Sequence, residues 1–178
     1  MHTVLRTVVL STLAGLAVLF GATSSADAAT ASTVKEPTRY YSLTSFADGR
    51  AVASHPFYPS LTAAVAEAYD SSTRMHWGLV PRAGASDAQL VNRLTGACLT
   101  ASGGYAVLAT CGSAATQGWT FVLPSGPDHI ETPFGLRNTA TQTVLTVGPN
   151  NWAGTPMLLM TDNAADSQRF WVDWRYTG

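Results

Sequence analysis

The sequence predicts a single all-β domain built from three copies of one unit, and two observations carry that prediction. From residue 39 onward, short runs of β-branched and aromatic residues alternate with Gly, Pro, Asn and Asp, the pattern of a fold made of many short strands. The same stretch can also be laid on itself in three registers.

The chain opens with Arg6, an apolar run over residues 8–20, and a small-residue stretch ending in Ala26-Asp27-Ala28. A charged start, an apolar middle and an A-x-A ending are the parts of a secretory signal peptide, so 1–28 is expected to be removed and the mature protein to be secreted and extracellular. A membrane span needs about 20 apolar residues, more than this run supplies, and none is expected. Residues 29–38, rich in Ala, Thr and Ser and carrying Pro37, read as a flexible leader. The remaining 39–178 is the length of one domain. Charged residues make up 12% of the chain, Lys35 is the sole lysine and the net charge is -1, which leaves no basic field for nucleic acid. Export permits disulfides, so Cys98 and Cys111, the two cysteines of the chain, are expected to bridge. Structural zinc wants four ligands and finds no further cysteine, so neither metal nor cofactor is expected.

Strands are predicted at 39–45, 90–92, 105–110, 119–123, 143–147, 157–160 and 170–174. The segment "LTAAVAEAY" at 61–69 has a helical composition, but its neighbours argue for a strand or a loop crossing. The repeat is clearest where "NRLTGACL" at 92–99 aligns with "NTATQTVL" at 138–145 and, more faintly, with "SFADGRAV" at 45–52. Each copy ends in an aromatic residue: Trp77, Trp119 and Phe170. Gly49 to Trp77 is 28 positions, Gln142 to Phe170 is 28 and Gly96 to Trp119 is 23, so the outer copies carry five extra residues, between the equivalents of Leu99 and Cys111. The repeats run over about 39–80, 87–123 and 129–174. Units this short cannot bury their apolar faces singly, and three of them close naturally into a β-trefoil.

The pattern N-x-x-T-G-x-C-L, a cysteine thirteen positions later and Q-x-W near the end of the copy resembles the ricin B-type lectin repeat. Gln117-Gly118-Trp119 carries that ending in the middle copy and Gln168-Arg169-Phe170 in the last, while Met75-His76-Trp77 replaces it in the first. The stretch from Trp77 to Cys111 is also similar to the trefoil A and C subunits of cytolethal distending toxins, in which a Trp-x-Leu-x-Pro strand leads into V-N-x-x-T-G-x-C. A weaker likeness, through "SLTSFADGRAVASH" at 42–55, is to the arabinose-binding trefoil module of arabinofuranosidases.

The resemblance implies that Trp77, Trp119 and Phe170 form the centre of the core and that Gln117 and Gln168 satisfy backbone groups. It places the sugar-binding acid at Ala53, Thr100 and Thr146, the stacking aromatic at Glu67, Ala109 and Met160, and the amide at Arg74, Thr116 and Ser167. None of these residues has the required chemistry, so sugar recognition through the inherited positions is expected to be lost. The two long loops carry other material. "HPFYPS" holds His55, Phe57 and Tyr58, and "PNNWAG" holds Asn150, Asn151 and Trp152. Aromatic rings and amides among turn formers are the material of a recognition site, although such rings can also fold back to close the barrel ends.

Catalysis has little to build on, since Asp128-His129 stands in no recognisable nucleophile context. The sequence therefore points to a secreted, non-catalytic recognition module that binds carbohydrate through loop aromatics. The alternative is a protein-interaction or targeting subunit of a secreted, toxin-like assembly with a secreted protein partner. A trefoil protease inhibitor ranks behind both.

Overall fold

Among the described residues twelve strands, in three groups of four, follow the three repeats along the chain. The computed structural model describes residues 36–55, 62–123, 132–150 and 152–177, with side chains as far as Asp173. Lobe 1 holds β1 (Arg39–Ser45), β2 (Ala51–Ser54), β3 (Ala64–Glu67) and β4 (His76–Pro81). Lobe 2 holds β5 (Ala88–Asn92), β6 (Cys98–Ser102), β7 (Tyr105–Ala109) and β8 (Trp119–Val122). Lobe 3 holds β9 (Gly135–Asn138), β10 (Val144–Val147), β11 (Thr155–Met160) and β12 (Phe170–Thr177). The segment of helical composition contributes β3, whose four residues are all buried.

The first and last strands of each lobe form a barrel. Antiparallel pairs run from β12 through β1, β4, β5 and β8 to β9, and a bridge between Phe134 and Phe170 closes the circuit. The middle strands of each lobe make a hairpin, and the three hairpins meet in a triangular cap. There β11 pairs with both β3 and β7, and a bridge between Ala63 and Val107 completes the third side. Among the described residues this closure leaves no open barrel edge, which removes the usual template for aggregation.

The core sits where barrel meets cap. Trp77, Trp119 and Phe170, each at most 1% exposed, share a cluster with Leu43, Leu90, Leu99, Leu136 and Leu145. Each ring removes roughly 200 Å² of surface from water, which makes these three the largest single apolar contributions to the fold. Each indole also ties the last strand of its own lobe to that lobe's second strand: Trp77 Nε1–H donates to Val52 O at 2.8 Å and Trp119 Nε1–H to Leu99 O at 2.9 Å. Phe170 has no such donor, and its backbone N–H bonds instead to Phe134 O at 2.9 Å.

One turn shows the threefold repeat in backbone terms. The N–H groups of Gly49, Gly96 and Gln142 each donate to the residue four before them, at 2.9 Å. All three adopt left-handed conformations, with φ of 73°, 66° and 59°. Glycine suits that region, and Gln142 tolerates it with its own side chain donating to Thr139 O at 2.8 Å. The middle glycine of Gln117-Gly118-Trp119 has another reason. A Cβ on Gly118 would lie 2.1 Å from Asp87 Oδ2 and 2.3 Å from Arg82 Nη1, so no larger residue fits beneath that ion pair. Cys98 and Cys111 are joined by a disulfide with their Cα atoms 5.0 Å apart.

Candidate functional site

The nine positions inherited from the lectin repeat are absorbed into the scaffold in different ways. In lobe 2, Thr100 Oγ1 donates to Cys98 O at 3.0 Å, and Ala109 faces Cys98 across β6 and β7. In lobe 3, Thr146 is buried, donating to Val144 O at 3.1 Å, and Met160 is exposed. In lobe 1, Ala53 is fully buried while Glu67 and Arg74 form an ion pair with each other. Arg74 Nη2 also donates to Asp70 Oδ2 at 2.8 Å. Burial raises the Asp70 carboxyl, but hydrogen bonds from Ser72 and the Arg74 guanidinium outweigh it and hold the group at about 2.

This ion pair lies beside lobe 3. Pairing of Thr155 with Ala66 and of Pro156 with Val65 carries the loop between β10 and β11 alongside Glu67. A Cβ built on Gly154 would lie 3.9 Å from Glu67 Oε1 and 4.0 Å from Trp152 Cζ3, so the carboxylate and the indole both come close to Gly154. The Trp152 ring is 59% exposed. Glu67 is 5% exposed, and its Oε1 is buried with no hydrogen-bond partner among the described residues. One oxygen of the carboxylate is therefore spent on Arg74 and the other retains its accepting capacity.

The loop is braced from beneath. Arg50 donates from Nη1 to Asn150 O at 2.7 Å and from Nη2 to Gly148 O at 3.1 Å, and its Nε donates to Asp48 Oδ2 at 2.7 Å. Burial raises the Asp48 carboxyl, yet the hydrogen bonds and charge of Arg50 bring it below the ordinary carboxylate value. Thr155 Oγ1 is shared between Trp152 O at 2.7 Å and Asn150 O at 3.1 Å. An exposed ring on a fixed loop costs little conformational entropy when it is used for binding.

The structure thus brings Trp152 and Asn150 to the junction of lobes 3 and 1, with the Asn150 carbonyl engaged in holding the loop. His55 lies at the other end of β2 from Arg50 and lines a separate cavity between lobes 1 and 2. Phe57, Tyr58 and Asn151 lie outside the described residues, as do Asp128 and His129. Gln117 is buried, accepting from Gly112 N at 2.8 Å and donating to Thr110 O at 2.9 Å, and Gln168 is buried in the equivalent place. Glu67, Arg74 and Arg50 are the residues that sequence reasoning did not count toward a site. The available signal was opposite charge at Glu67 and Arg74, two positions of one lobe that the resemblance directs at the same spot.

Among the described residues no group of three His, Cys, Asp or Glu side chains could hold a metal ion. Among them, too, no helix is long and apolar enough to cross a membrane.

No family model matches this sequence, and no curated protein does. Solved structures do match. The designed threefold symmetric protein ThreeFoil is similar at a TM-score of 0.64 and 19% identity, over 75% of this chain and 96% of its own. A ricin B-like lectin of Macrolepiota procera, solved in complex with lactose, is similar at 0.63 and 16%, over 78% of this chain and 96% of its own. A chain of the Haemophilus ducreyi cytolethal distending toxin is similar at 0.64 and 15%, over 78% and 84%. The fold is the three-repeat β-trefoil, of the kind found in ricin B-like lectins and in cytolethal distending toxins.

Proposed function

We propose that the protein is a secreted, non-catalytic carbohydrate-binding module whose working site lies at the junction of lobes 3 and 1. The observation that carries this reading is the exposed Trp152 ring on its braced loop, which shares the neighbourhood of Gly154 with the unpaired Oε1 of Glu67. An indole face covers the apolar side of a sugar ring, and a carboxylate oxygen accepts from its hydroxyls. That pairing restores at a neighbouring place the acid and aromatic that Ala53, Thr100, Thr146, Ala109 and Met160 no longer supply. The lactose complex of a lectin with this fold supports the reading by analogy of scaffold. Export follows from the signal-like segment at 1–28. The test is a glycan array probed with the mature protein and with Trp152→Ala. A saturable glycan signal that disappears in a folded Trp152→Ala protein supports the site, and a signal unchanged in the variant overturns it.

A second reading is favoured by an exposed aromatic pair. Phe46 and Trp171 are 45% and 37% exposed and meet edge to face with centroids 5.8 Å apart. Rings left open on a barrel wall suit a protein interface, and a chain of a cytolethal distending toxin shares the fold. A blank array together with a stoichiometric partner from the native secretion would favour docking, and Phe46→Ser/Trp171→Ser would then release the partner.

A further inference from the structure

The charges at the junction of lobes 3 and 1 do not balance. Arg74 is shared between two carboxylates, Glu67 and Asp70, so the three side chains together carry one net negative charge. The other arginine of this junction, Arg50, is committed to Asp48 and to the carbonyls of Gly148 and Asn150. Among the described residues neither arginine is left to neutralise the second carboxylate. The imbalance belongs to lobe 1 alone, since the places of Glu67 and Arg74 are taken by Ala109 and Thr116 in lobe 2 and by Met160 and Ser167 in lobe 3.

The excess charge sits where water screens it little. Glu67 is 5% exposed, and its Oε1 is buried with no hydrogen-bond partner among the described residues. A carboxylate withdrawn from water has a stronger and longer field than one on the surface. That oxygen and Trp152 Cζ3 both lie within 4 Å of the point where a Cβ on Gly154 would stand, which brings carboxylate and ring edge within reach of a single functional group. Because Oε1 is closed to solvent, it acts on a group at the ring through its field and does not have to touch it. The indole adds an attraction of the same sign, because the negative face of its quadrupole draws cations, and Trp152 is 59% exposed. Ring and carboxylate together favour a cation, and both oppose an anion.

We propose that this site selects a glycan bearing free ammonium groups, a deacetylated 2-amino sugar, over its N-acetylated or 2-hydroxy counterpart. The proposal rests on the carbohydrate reading above and adds the charge of the ligand. Selection comes from Glu67 and Asp70 acting on a group held at Trp152, with Arg74 cancelling only one of the two carboxylates.

The test is calorimetric titration of the mature protein with three β-1,4-linked tetramers that differ at C2 alone: D-glucosamine, N-acetyl-D-glucosamine and D-glucose. The buffer is held at about pH 6, where a sugar amine, like an α-amino group, is protonated. The glucosamine tetramer is expected to bind about tenfold tighter than the other two, with the preference shrinking as salt is raised. Glu67→Gln, which leaves Arg74 balanced by Asp70, should remove most of that preference, and Trp152→Ala should abolish binding of the glucosamine tetramer. Should Glu67→Gln fail to fold, Asp70→Asn removes the same unit of charge at a half-exposed position and should reduce the preference about threefold. Equal affinity for the three tetramers overturns the proposal, as does a preference unchanged in both charge variants. Glucosamine binding that survives Trp152→Ala is surface charge alone and overturns it too. Tetralysine bound through Trp152 more tightly than the glucosamine tetramer overturns the glycan assignment in favour of a protein cation. No binding of any tetramer by a protein that binds other glycans on the array overturns this inference alone, whereas a blank array removes the carbohydrate reading with it.

Discussion

Met75 Sδ accepts the backbone N–H of Asp70 at 3.4 Å, the bond that Gln117 Oε1 accepts from Gly112 at 2.8 Å and Gln168 Oε1 from Asn163 at 3.0 Å. The thioether stands in for a carboxamide at the same place in the lobe. It is the weaker acceptor and offers no donor, whereas Gln117 Nε2 also donates to Thr110 O and its Oε1 also accepts from Gln89. Gln117→Leu removes three hydrogen bonds, to Gln89, Gly112 and Thr110, and is expected to cost about 2 to 3 kcal/mol, while Met75→Leu, which loses one weak bond, should cost less than about 1.5 kcal/mol. Urea unfolding of the two variants checks the ratio.

The Cys98–Cys111 bridge joins residues 13 apart in sequence, and Cys98 packs with Val80 and Val91 in a small cluster beside the main core. A loop of that length is worth about 3 kcal/mol in the chain-entropy model. Replacing both cysteines by alanine should lower stability by about that amount, and treatment of the native protein with a thiol reductant should lower its Tm in the same direction.

Acid should destabilise the protein through carboxylates that folding holds ionised. Asp162 is raised by burial, yet the Ala164 N–H and the guanidinium groups of Arg169 and Arg137 bring it below its ordinary value, and Asp70 is held at about 2. A group depressed on folding contributes stability that is present above its unfolded pKa, about 3.9, and is lost as pH falls through the folded value. Tm should therefore hold steady above about pH 5 and fall between about pH 4 and pH 2. Asp162→Asn should lower Tm at pH 7 and flatten part of that acid limb. Asp70 is half exposed, so solvent screening keeps its share smaller.

The parts of the fold that could be read from sequence are those whose residues announce strands. The runs beginning at Arg39, Tyr105 and Trp119 are rich in β-branched and aromatic residues, and strands lie there. β2 and β3 gave no such signal, because the cap crowds its hairpins together and four of their eight residues are alanine, a poor strand former. Spacing of Gly49, Gly96 and Gln142 revealed the repeat even though the third residue is not glycine, since a turn is fixed by hydrogen bonds as well as by residue type. The approach of both Glu67 and Trp152 to Gly154 was beyond sequence reading. It depends on β3 meeting β11, a contact between lobes that repeat alignment does not encode. The loss of the inherited sugar positions was visible residue by residue, but the ion pair that fills two of them in lobe 1 needed coordinates.

Rigidity of the Trp152 loop, rather than the ring alone, should set affinity at the junction of lobes 3 and 1. Thr155 is 3% exposed, and its hydroxyl is shared by the Trp152 and Asn150 carbonyls. Thr155→Val keeps the volume and removes that brace, leaving the indole and Glu67 in place. The loop then has more conformations to lose on binding, and glycan affinity should fall about five- to tenfold. A change confined to mobility should appear as lower Trp152 fluorescence anisotropy, read in a protein whose other tryptophans are replaced by phenylalanine where the fold allows. Trp152→Ala, which removes the contact itself, should instead abolish binding while leaving Tm within about 1 °C, because an exposed ring contributes little to the core. Equal affinity in wild type and Thr155→Val would show that the loop is held by Arg50 alone, and Arg50→Gln would then be the variant that loosens it.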